Sequence, residues 1–369
     1  MTTHTLHVDR SVPLAAEPHS GHNRFHPDIV PLIEVAEGDE VVIECRDGVD
    51  GQLGPGTTID DLPTFDSNRI HPLTGPVFVK GAEPGDVLEV EFLDIVPEPH
   101  GFTCIVPDLG FLREEITTPF LAHWDIADGF ATSQQVPGVR IPGASFMGLT
   151  GVAPSARKLA EWVERDQRCQ EAGGAVLLQD PVSAVPQGGI GAEGLRTWTP
   201  RENGGNMDCK LLTKGAKLML PVFAEGALFS TGDAHFAQGD GEVCCTAVEM
   251  AGTPVVRFTV HKGLAEKRTF AGPVFSRTSY YTDPRIAAPE HFLGVMGMPI
   301  NEEGDSESEN LTLAAKNAVR NMIVLLQERG FSREQAYVIC SVAVDLRISN
   351  VVDYPNFVVS ALLPEMIFG

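Results

Sequence analysis

Apolar and polar residues alternate along much of this chain with the two-residue period of a β-strand. Residues 32–46 and 77–96 share one plan, in which an acid and a Gly-Asp turn precede alternating Val, Leu, Ile and Glu, and residues 220–235 repeat it loosely. The plan is an internal repeat on the scale of a β-hairpin. Because antiparallel sandwiches and barrels require such turns between alternating strands, the repeat predicts a mainly β body.

Three segments depart from this period and place their apolar residues at helical spacing. Residues 155–169 form an amphipathic pattern behind a serine that can cap a helix. A longer helical pattern covers residues 311–329 and ends at Gly330, and a further helix is predicted from Ser332 to about Leu346. A strand-like tail follows, so the end of the chain is typical of a small α+β part.

These elements divide the chain into four predicted segments. An N-terminal β domain covers residues 1–155, and a helix and loop insertion covers residues 156–202. Residues 203–300 form a β region that carries the site, and residues 301–369 form an α+β segment that packs on the body. The predicted fold class is therefore mainly β, an antiparallel sandwich or barrel body with a smaller C-terminal α+β part.

The balance of charges narrows the function classes. With 27 basic and 50 acidic residues the net charge is −23, which argues against non-specific binding to nucleic acid or to an anionic membrane surface. No window approaches the length of a membrane span and no signal-peptide core occurs near the start, so a cytoplasmic protein is expected. The seven cysteines contain no CxxC pair, which indicates neither a disulfide framework nor a structural zinc site.

The densest mixture of glycine and polar residues lies at residues 203–249. Its first part, NGGNMD at residues 203–208, must turn sharply or let a ligand approach the backbone closely. Its later part, GDAHFAQGDGE, places five polar residues within ten positions: Asp233, His235, Gln238, Asp240 and Glu242. Asp, His and Glu together either bind a divalent cation or move protons for a hydrolytic water, and otherwise they are turn and strand residues.

Several motifs in this stretch resemble the acetamidase/formamidase family of amide hydrolases. NGGNMD, LPVF, EGALFSTGDAH and QGDGE occur here in that family's order. Further segments resemble the family in the same order: HNRFHPD (22–28), GPVFVKGAEPGDVLEVEFLDI (75–95), IPG and GLTGVAPS (141–155) and SVAVDLRISNVVDYPNFVVSALLP (341–364). The resemblance implies a homo-oligomeric amidase that converts a small neutral amide, formamide or acetamide, to carboxylate and ammonia. HNRFHPD favours formamidase and makes His22 and His26 candidates for the pocket lining.

Amide hydrolysis requires an activated water, a group that polarises the carbonyl and a proton donor for the leaving amine. Glu242 is the predicted general base, and Asp208 and His235 are the predicted ligands of a divalent metal, although these roles are exchangeable. Zinc is favoured over calcium as that metal. Three further polar residues are expected to contact the substrate: Asn206, Gln238 and His71.

A long connection at residues 47–76 is too rich in Gly, Pro and Asp for regular structure, and connections of this length are usually functional or disordered. Its notable polar groups are Asp47, Asp60 and His71. Asp47 stands where the family shows an acid before a GGQ-like piece, so the resemblance adds Asp47 to the metal ligands. Asp50 departs from that pattern, because a glycine is expected at its position.

Two alternatives stay open at the level of sequence. A cysteine nucleophile is conceivable because Cys209 adjoins Asp208, and because Cys244 and Cys245 follow Glu242 closely. The chain could instead be a β-sandwich binding protein whose acidic turns hold calcium without turnover. Release of ammonia from formamide or acetamide would distinguish the enzyme from the binding protein.

Overall fold

A computed structural model gives the fold and describes residues 1–268, 272–279 and 289–368. Its strands form one large mixed sheet of 14 strands, a sheet of three strands and a pair of two strands. The predicted fold class, mainly β with a smaller C-terminal α+β part, is confirmed. In the described part of the chain, no helix combines the length and the apolar character needed to cross a bilayer.

The strands of the described residues are β1 (Thr3–Leu6), β2 (Arg24–Phe25), β3 (Ile33–Val35), β4 (Glu40–Ile43), β5 (Leu73–Val79), β6 (Val87–Ile105), β7 (Phe120–Ala127), β8 (Phe130–Thr132), β9 (Arg140–Pro142), β10 (Phe146–Val152), β11 (Leu195–Arg196), β12 (Gly204–Asn206), β13 (Ala216–Pro221), β14 (Phe229–His235), β15 (Glu249–His261), β16 (Val274–Arg277), β17 (Phe292–Gly297), β18 (Asp345–Asn350) and β19 (Val358–Pro364). The α-helices are α1 (Ala156–Glu171), α2 (Gly189–Glu193), α3 (Leu264–Lys267), α4 (Leu311–Glu328) and α5 (Arg333–Ala343). Short 3-10 helices lie at Leu14–Ala16, Ile59–Thr64, Ser67–Arg69 and Glu365–Ile367.

Two long strands, β6 and β15, form the centre of the large sheet. They pair antiparallel from Glu249, opposite Phe102, to His261, opposite Val87. Along β6 the buried apolar residues alternate with half-buried acids, which places one face of the strand in the core. Each large apolar side chain buried there stabilises the fold by about 1.5–3 kcal/mol.

The strand β14 is buried along its whole length between β10, β5 and β15. Its sequence, FSTGDAH, is mostly polar, so its side chains need partners inside the protein. Thr231 meets Thr150 of β10 with the hydroxyl oxygens 3.0 Å apart, and Ser230 lies 2.8 Å from the Nε2 atom of His22. The end of this strand carries Asp233 and His235 into the interior.

The three Gly-Asp repeats do not form the hairpins that the sequence predicts. β3 pairs with β5 and β4 pairs with β15, although β3 and β4 flank one turn. The strands that flank the second turn, β5 and β6, also pair with other strands. In the third copy Gly232 and Asp233 lie within β14 and form no turn, and β13 and β14 also pair with other strands. A Gly-Asp turn reverses the chain, but buried side-chain contacts decide which strand becomes the neighbour.

The predicted helices are present with small differences at their ends. Ser155 caps α1 by accepting a hydrogen bond from the Lys158 N–H, and Ser332 caps α5 through a capping box with Gln335. The α4 helix begins at Leu311 as predicted. The α5 helix ends three residues before the predicted Leu346, because the chain from Asp345 pairs with β19 as an edge of the three-stranded sheet.

The α5 helix holds the loop that follows β14. The hydroxyl of Tyr337 donates to the Val243 carbonyl and accepts from the Leu112 N–H at 2.9 Å. Ser341 accepts from the Gly239 N–H through its carbonyl at 2.8 Å and from the Cys244 N–H through its hydroxyl at 3.1 Å. The α5 helix therefore fixes residues 239–244. The division of the chain into four segments stays a prediction.

Candidate active site

A cavity of about 210 Å³ opens between the end of β6, the loop after β14 and the connection at residues 47–76. One end of it is polar and strongly acidic, and this end is lined by His71, Asn206, Asp208, Asp233, Glu242 and Glu249. The other end is apolar. A concave site with a few convergent polar groups is typical of a binding or catalytic pocket.

The acidic end contains two overlapping groups that could hold a metal ion. In each group one ligand atom from every residue lies within 4.8 Å of the others. The first group is Asp208, Asp233 and His235, and the second is His235, Glu242 and Glu249. His235 belongs to both groups and lies directly opposite Glu249 in the pairing of β14 with β15.

The side chain of Gln238 orients the His235 imidazole. Gln238 donates from Nε2 to the Asp208 carbonyl at 2.8 Å, so its Oε1 atom faces Nδ1 of His235 at 2.9 Å. A carbonyl oxygen only accepts, and therefore Nδ1 carries a proton and Nε2 is the ring nitrogen that faces the acids. Nε2 lies 3.0 Å from a Glu249 oxygen and 3.5 Å from an Asp233 oxygen, yet it has no hydrogen-bond partner among the described residues.

Two glycines let the acids approach each other. A Cβ added at Gly148 would lie 2.6 Å from Oδ1 of Asp208 and 3.0 Å from Oδ2 of Asp233. A Cβ added at Gly48 would lie 2.1 Å from Oδ1 of Asp233. Asn206 donates to Oδ2 of Asp208 at 2.8 Å, whereas Oδ1 of Asp208 is buried and unpartnered among the described residues.

Burial of so many acids raises the pKa of most of them. Burial, reinforced by the nearby Asp233 and Glu249, raises the pKa of Asp208 to about 7. Burial and the proximity of Asp208 raise the pKa of Glu242 well above its usual range, and burial also raises the pKa of Glu249. Carboxylates this close cannot all be ionised without a neighbouring positive charge.

The imidazoles have the opposite effect on Asp233. Burial alone would raise the pKa of Asp233, but His71 and His235 lower it below its usual range. Burial alone would lower the pKa of His235, but Glu249 and Asp233 raise it well above its usual range. Burial lowers the pKa of His71, whose Nε2 atom lies 3.8 Å from Oδ2 of Asp233. The acidic end therefore favours positive charge at its centre.

Three acids of this end have left-handed backbone conformations. The φ angle is 43° at Asp208, 57° at Asp233 and 43° at Glu242. Residues with a Cβ seldom adopt this region, and such strain of about 1–3 kcal/mol each collects at functional sites. The backbone thus aims these carboxylates at one point against its local preference.

The donor set fits a small divalent cation. Its donors are the Nε2 atom of His235, several carboxylates and the unpartnered Oδ1 atom of Asp208, all at one buried point. Gly148 stands where a Cβ would fill the space between them. A hydrogen bond to the second nitrogen of a ligating imidazole, here from His235 to Gln238, is the usual arrangement in metal sites.

The structure brings the three predicted residues Asp208, His235 and Glu242 together at this end of the cavity. Asn206 and His71 also line the cavity. The roles of these five residues stay predictions.

The remaining predicted residues are not members of the two metal-binding groups. Gln238 is buried beneath His235 rather than on the cavity wall. The Asp47 carboxylate accepts from the Val49 N–H at 3.0 Å and from the Gly51 N–H at 3.1 Å, so it caps its own loop. Asp60 is exposed.

The two N-terminal histidines are buried outside the residues that line this cavity. Nε2 of His22 lies 2.8 Å from the Ser230 hydroxyl, and Nδ1 of His26 accepts from the Asp28 N–H at 3.1 Å. Sequence reasoning missed Glu249 as a member of the acidic end. The only signal for it was an acid within the apolar run AVEMAG, which without the strand register does not point to His235.

The cysteines near the cavity do not suit a nucleophilic role. Cys244 and Cys245 line the cavity, but burial raises the pKa of Cys244 to about 11 and that of Cys245 to about 12. Burial also raises the pKa of Cys209. A reactive cysteine requires a lowered pKa, so this electrostatic environment disfavours thiolate attack.

Comparisons with known proteins agree on one family. The model of the Acetamidase/Formamidase family matches residues 7–369. An acetamidase from Mycolicibacterium smegmatis is 36% identical, with 90% of this chain and 87% of that protein covered, and a formamidase from Methylophilus methylotrophus is 33% identical, with 94% and 89% covered. The solved structure of a gamma lactamase from Delftia acidovorans shares 34% identity and superposes with a TM-score of 0.92, covering 99% of this chain and 93% of that one.

Proposed function

Because this chain belongs to the acetamidase/formamidase family, we propose that it hydrolyses the carbon–nitrogen bond of a short-chain aliphatic amide, formamide or acetamide, to carboxylate and ammonia. The observation that carries the proposal is the convergence of Asp208, His235 and Glu242 at one end of a single cavity. The amide hydrolases among its relatives favour this activity over the calcium-stabilised binding protein.

Asp208, Asp233 and His235 would hold a divalent cation at the acidic end. Zinc is the better match, because zinc accepts imidazole nitrogen and carboxylate in a small coordination shell, whereas calcium requires six to eight oxygen ligands. When bound, such a cation supplies Lewis acidity and lowers the pKa of a coordinated water to about 7.

Glu242 acts as the general base. It removes a proton from the attacking water as the water oxygen bonds to the amide carbon. When the carbon–nitrogen bond breaks, Glu242 returns that proton to the leaving nitrogen, so ammonia and the free carboxylic acid are formed. Its raised pKa, caused by burial and the proximity of Asp208, suits both steps, since a more basic carboxylate accepts the proton of the water more readily and holds it for the leaving nitrogen.

Asn206 and His71 hold the substrate amide beside Glu242. Both line the cavity, and Oδ1 of Asn206 and Nδ1 of His71 lack hydrogen-bond partners among the described residues. Oδ1 of Asn206 accepts from the substrate N–H, which turns the amide carbon toward the water. Gln238 serves the reaction by orienting His235.

The decisive test is release of ammonia from formamide and acetamide by the purified protein, with and without a chelator. Glu242→Gln keeps the shape of the side chain and should lower kcat by about 10²–10⁴-fold, the usual contribution of a general base. Glu225→Gln, a change at an exposed acid near the start of β14, should leave kcat unaltered. The proposal fails if the folded wild-type protein, loaded with zinc, releases no ammonia from either amide.

A second candidate activity is the opening of a cyclic amide, which the similarity to the gamma lactamase favours. The same carbon–nitrogen bond breaks, but the amine stays attached to the product and no ammonia appears. Chromatography of an amino acid product from a γ-lactam would detect this reaction.

We also propose a cytoplasmic homo-oligomer. The outer face of the three-stranded sheet supports self-association, because it exposes Phe292 and Met296 by 54% and 62%. Light scattering during size-exclusion chromatography measures the assembly, and Met296→Glu should weaken it. A monomer at micromolar concentration would contradict this part of the proposal.

A further inference from the structure

The apolar end of the cavity is larger than formamide or acetamide needs. These amides contain three or four non-hydrogen atoms and fill the space of about two waters, or ~60 Å³. The cavity has a volume of about 210 Å³. Its apolar lining is formed by Val49, Phe65, Ile70, Cys104, Val106, Leu109 and Trp198. A short amide at the acidic end would leave this lining uncovered.

The apolar lining is part of a separate hydrophobic cluster that is built largely by the connection at residues 47–76. The cluster consists of buried Val49, Leu53, Leu62, Ile70, Phe102, Cys104 and Leu121, with Phe65, Val106 and Trp198 packed against it. An ion pair fixes the connection, because Arg69 donates from Nε to Oδ2 of Asp50 at 2.9 Å while Oδ1 of Asp50 accepts from the Leu14 N–H at 2.8 Å. The apolar wall is therefore preformed.

Four side chains on this wall are only half-buried: Phe65, Val106, Leu109 and Trp198. Trp198 is held at its edge, where its indole N–H donates to the Ser67 carbonyl at 3.3 Å, and its ring lies 5.8 Å from the His71 ring. Apolar surface that faces a cavity gains free energy when an apolar group covers it. The wall thus offers a contact surface for the part of the substrate beyond the amide.

The charge of the cavity restricts what that part can be. Among the described residues that line the cavity there is no Lys or Arg, whereas Asp208, Asp233, Glu242 and Glu249 supply four carboxyl groups. A substrate with its own carboxylate would meet no counter-charge and would be repelled. The acyl group therefore carries no negative charge.

We propose that the site prefers amides with a branched or ring-shaped apolar acyl group of about four to seven carbons over formamide and acetamide. The carboxamide lies at the acidic end beside Glu242, and the acyl group lies against Phe65, Val106 and Trp198. This inference rests on the proposed amide hydrolysis and identifies the class of substrate for the same site.

A panel of primary amides tests the preference in the zinc-loaded wild-type protein. The panel contains formamide, acetamide, isobutyramide, cyclohexanecarboxamide and the anionic amide succinamate. Each buried carbon should raise kcat/KM about threefold to fourfold, so isobutyramide should exceed acetamide about tenfold. Succinamate should be the poorest substrate.

The failure of this inference is distinguishable from the failure of the proposed function. If formamide or acetamide has the highest kcat/KM of the panel, the preference is refuted and the amidase proposal stands. If no amide of the panel is hydrolysed, the proposed function itself is refuted. If succinamate equals isobutyramide, the apolar wall does not contact the acyl group.

Val106→Phe narrows the apolar end and provides a second test. The ratio of kcat/KM for cyclohexanecarboxamide to that for acetamide should fall at least about fivefold, since steric exclusion of a ring is worth 1–3 kcal/mol or more. Val96→Phe is the matched control and should leave the ratio unchanged. Val96 lies in β6, the strand that directly precedes Val106, and its side chain is 50% exposed. A ratio that both variants leave unchanged overturns the inference, and the ratio is independent of the fraction of folded protein.

Discussion

Without a bound cation, the Asp208 carboxyl should destabilise the folded protein as the pH rises. Its pKa is about 7 in the fold against an ordinary value of 3.8. A group whose pKa is raised by folding contributes stability that is present below its ordinary pKa and is lost as the pH rises through the folded value. At about 1.4 kcal/mol per pH unit, full ionisation of Asp208 costs about 4 kcal/mol of folding free energy.

Asp208→Asn removes this cost and keeps the size of the side chain. Asn206 still has an amide oxygen to which it can donate in place of Oδ2 of Asp208. In the presence of chelator we therefore expect the variant to exceed the wild type in unfolding free energy by up to about 4 kcal/mol at pH 8, with little difference at pH 4. The variant should be inactive at both values of pH.

Urea unfolding followed by tryptophan fluorescence between pH 4 and pH 8 measures the effect. Asp353→Asn, a change at an exposed acid, is the control and should show no difference that depends on pH. Saturating zinc should remove this advantage of the variant, because a ligand at a thousand times its Kd stabilises the wild type by about 4 kcal/mol and the variant has lost a ligand. Equal or lower stability of Asp208→Asn at pH 8 in chelator would refute this reasoning.

Three further predictions follow from other contacts of the site. Gln238→Ala should lower kcat/KM by about 10–100-fold by releasing the His235 imidazole, whereas Gln327→Ala at an exposed position of α4 should not. Equal effects of the two variants in amide-hydrolysis assays would contradict the positioning role. Gly148→Ala places a methyl group 2.6 Å from Oδ1 of Asp208 and should abolish zinc binding in calorimetry, while Gly54→Ala, where an added Cβ meets nothing within 4 Å, should preserve it. Tyr337→Phe should lower the unfolding free energy by about 1–3 kcal/mol, because it leaves the Leu112 N–H without a partner and leaves the Val243 carbonyl with only the Phe111 N–H. A loss below about 0.5 kcal/mol in urea titrations would show that water replaces the lost bonds.

Local chemistry in the sequence was enough to predict a mainly β body, the three long helices and three of the residues that lie at the acidic end. The serines before α1 and α5 and the glycine after α4 are local signals, and the structure shows the helices where these signals place them. Asp208, His235 and Glu242 could be selected because their short glycine-flanked motifs concentrate polar groups within apolar runs. These features depend on residues that are close together in the chain.

Features that depend on strand pairing could not be read from the sequence. Glu249 joins the acidic end only because the register of β14 and β15 puts it opposite His235. The hairpin prediction was wrong for the same reason, since each Gly-Asp turn joins strands that find their partners elsewhere in the sheet. The apolar wall could not be predicted, because Leu62 and Phe65 lie in a connection without hydrophobic periodicity. Nothing in the local sequence indicates that they share a hydrophobic cluster with Phe102 of β6.

The hold of α5 on residues 239–244 has a consequence for how the protein matures on the ribosome. The segments that carry the acids of the site leave the ribosome before α5 does. Tyr337 and Ser341 of α5 contact Val243 and Cys244. Until that helix leaves the exit tunnel, the Glu242 turn lacks its support, so a nascent chain already holding Asp208 and His235 is not yet a working hydrolase.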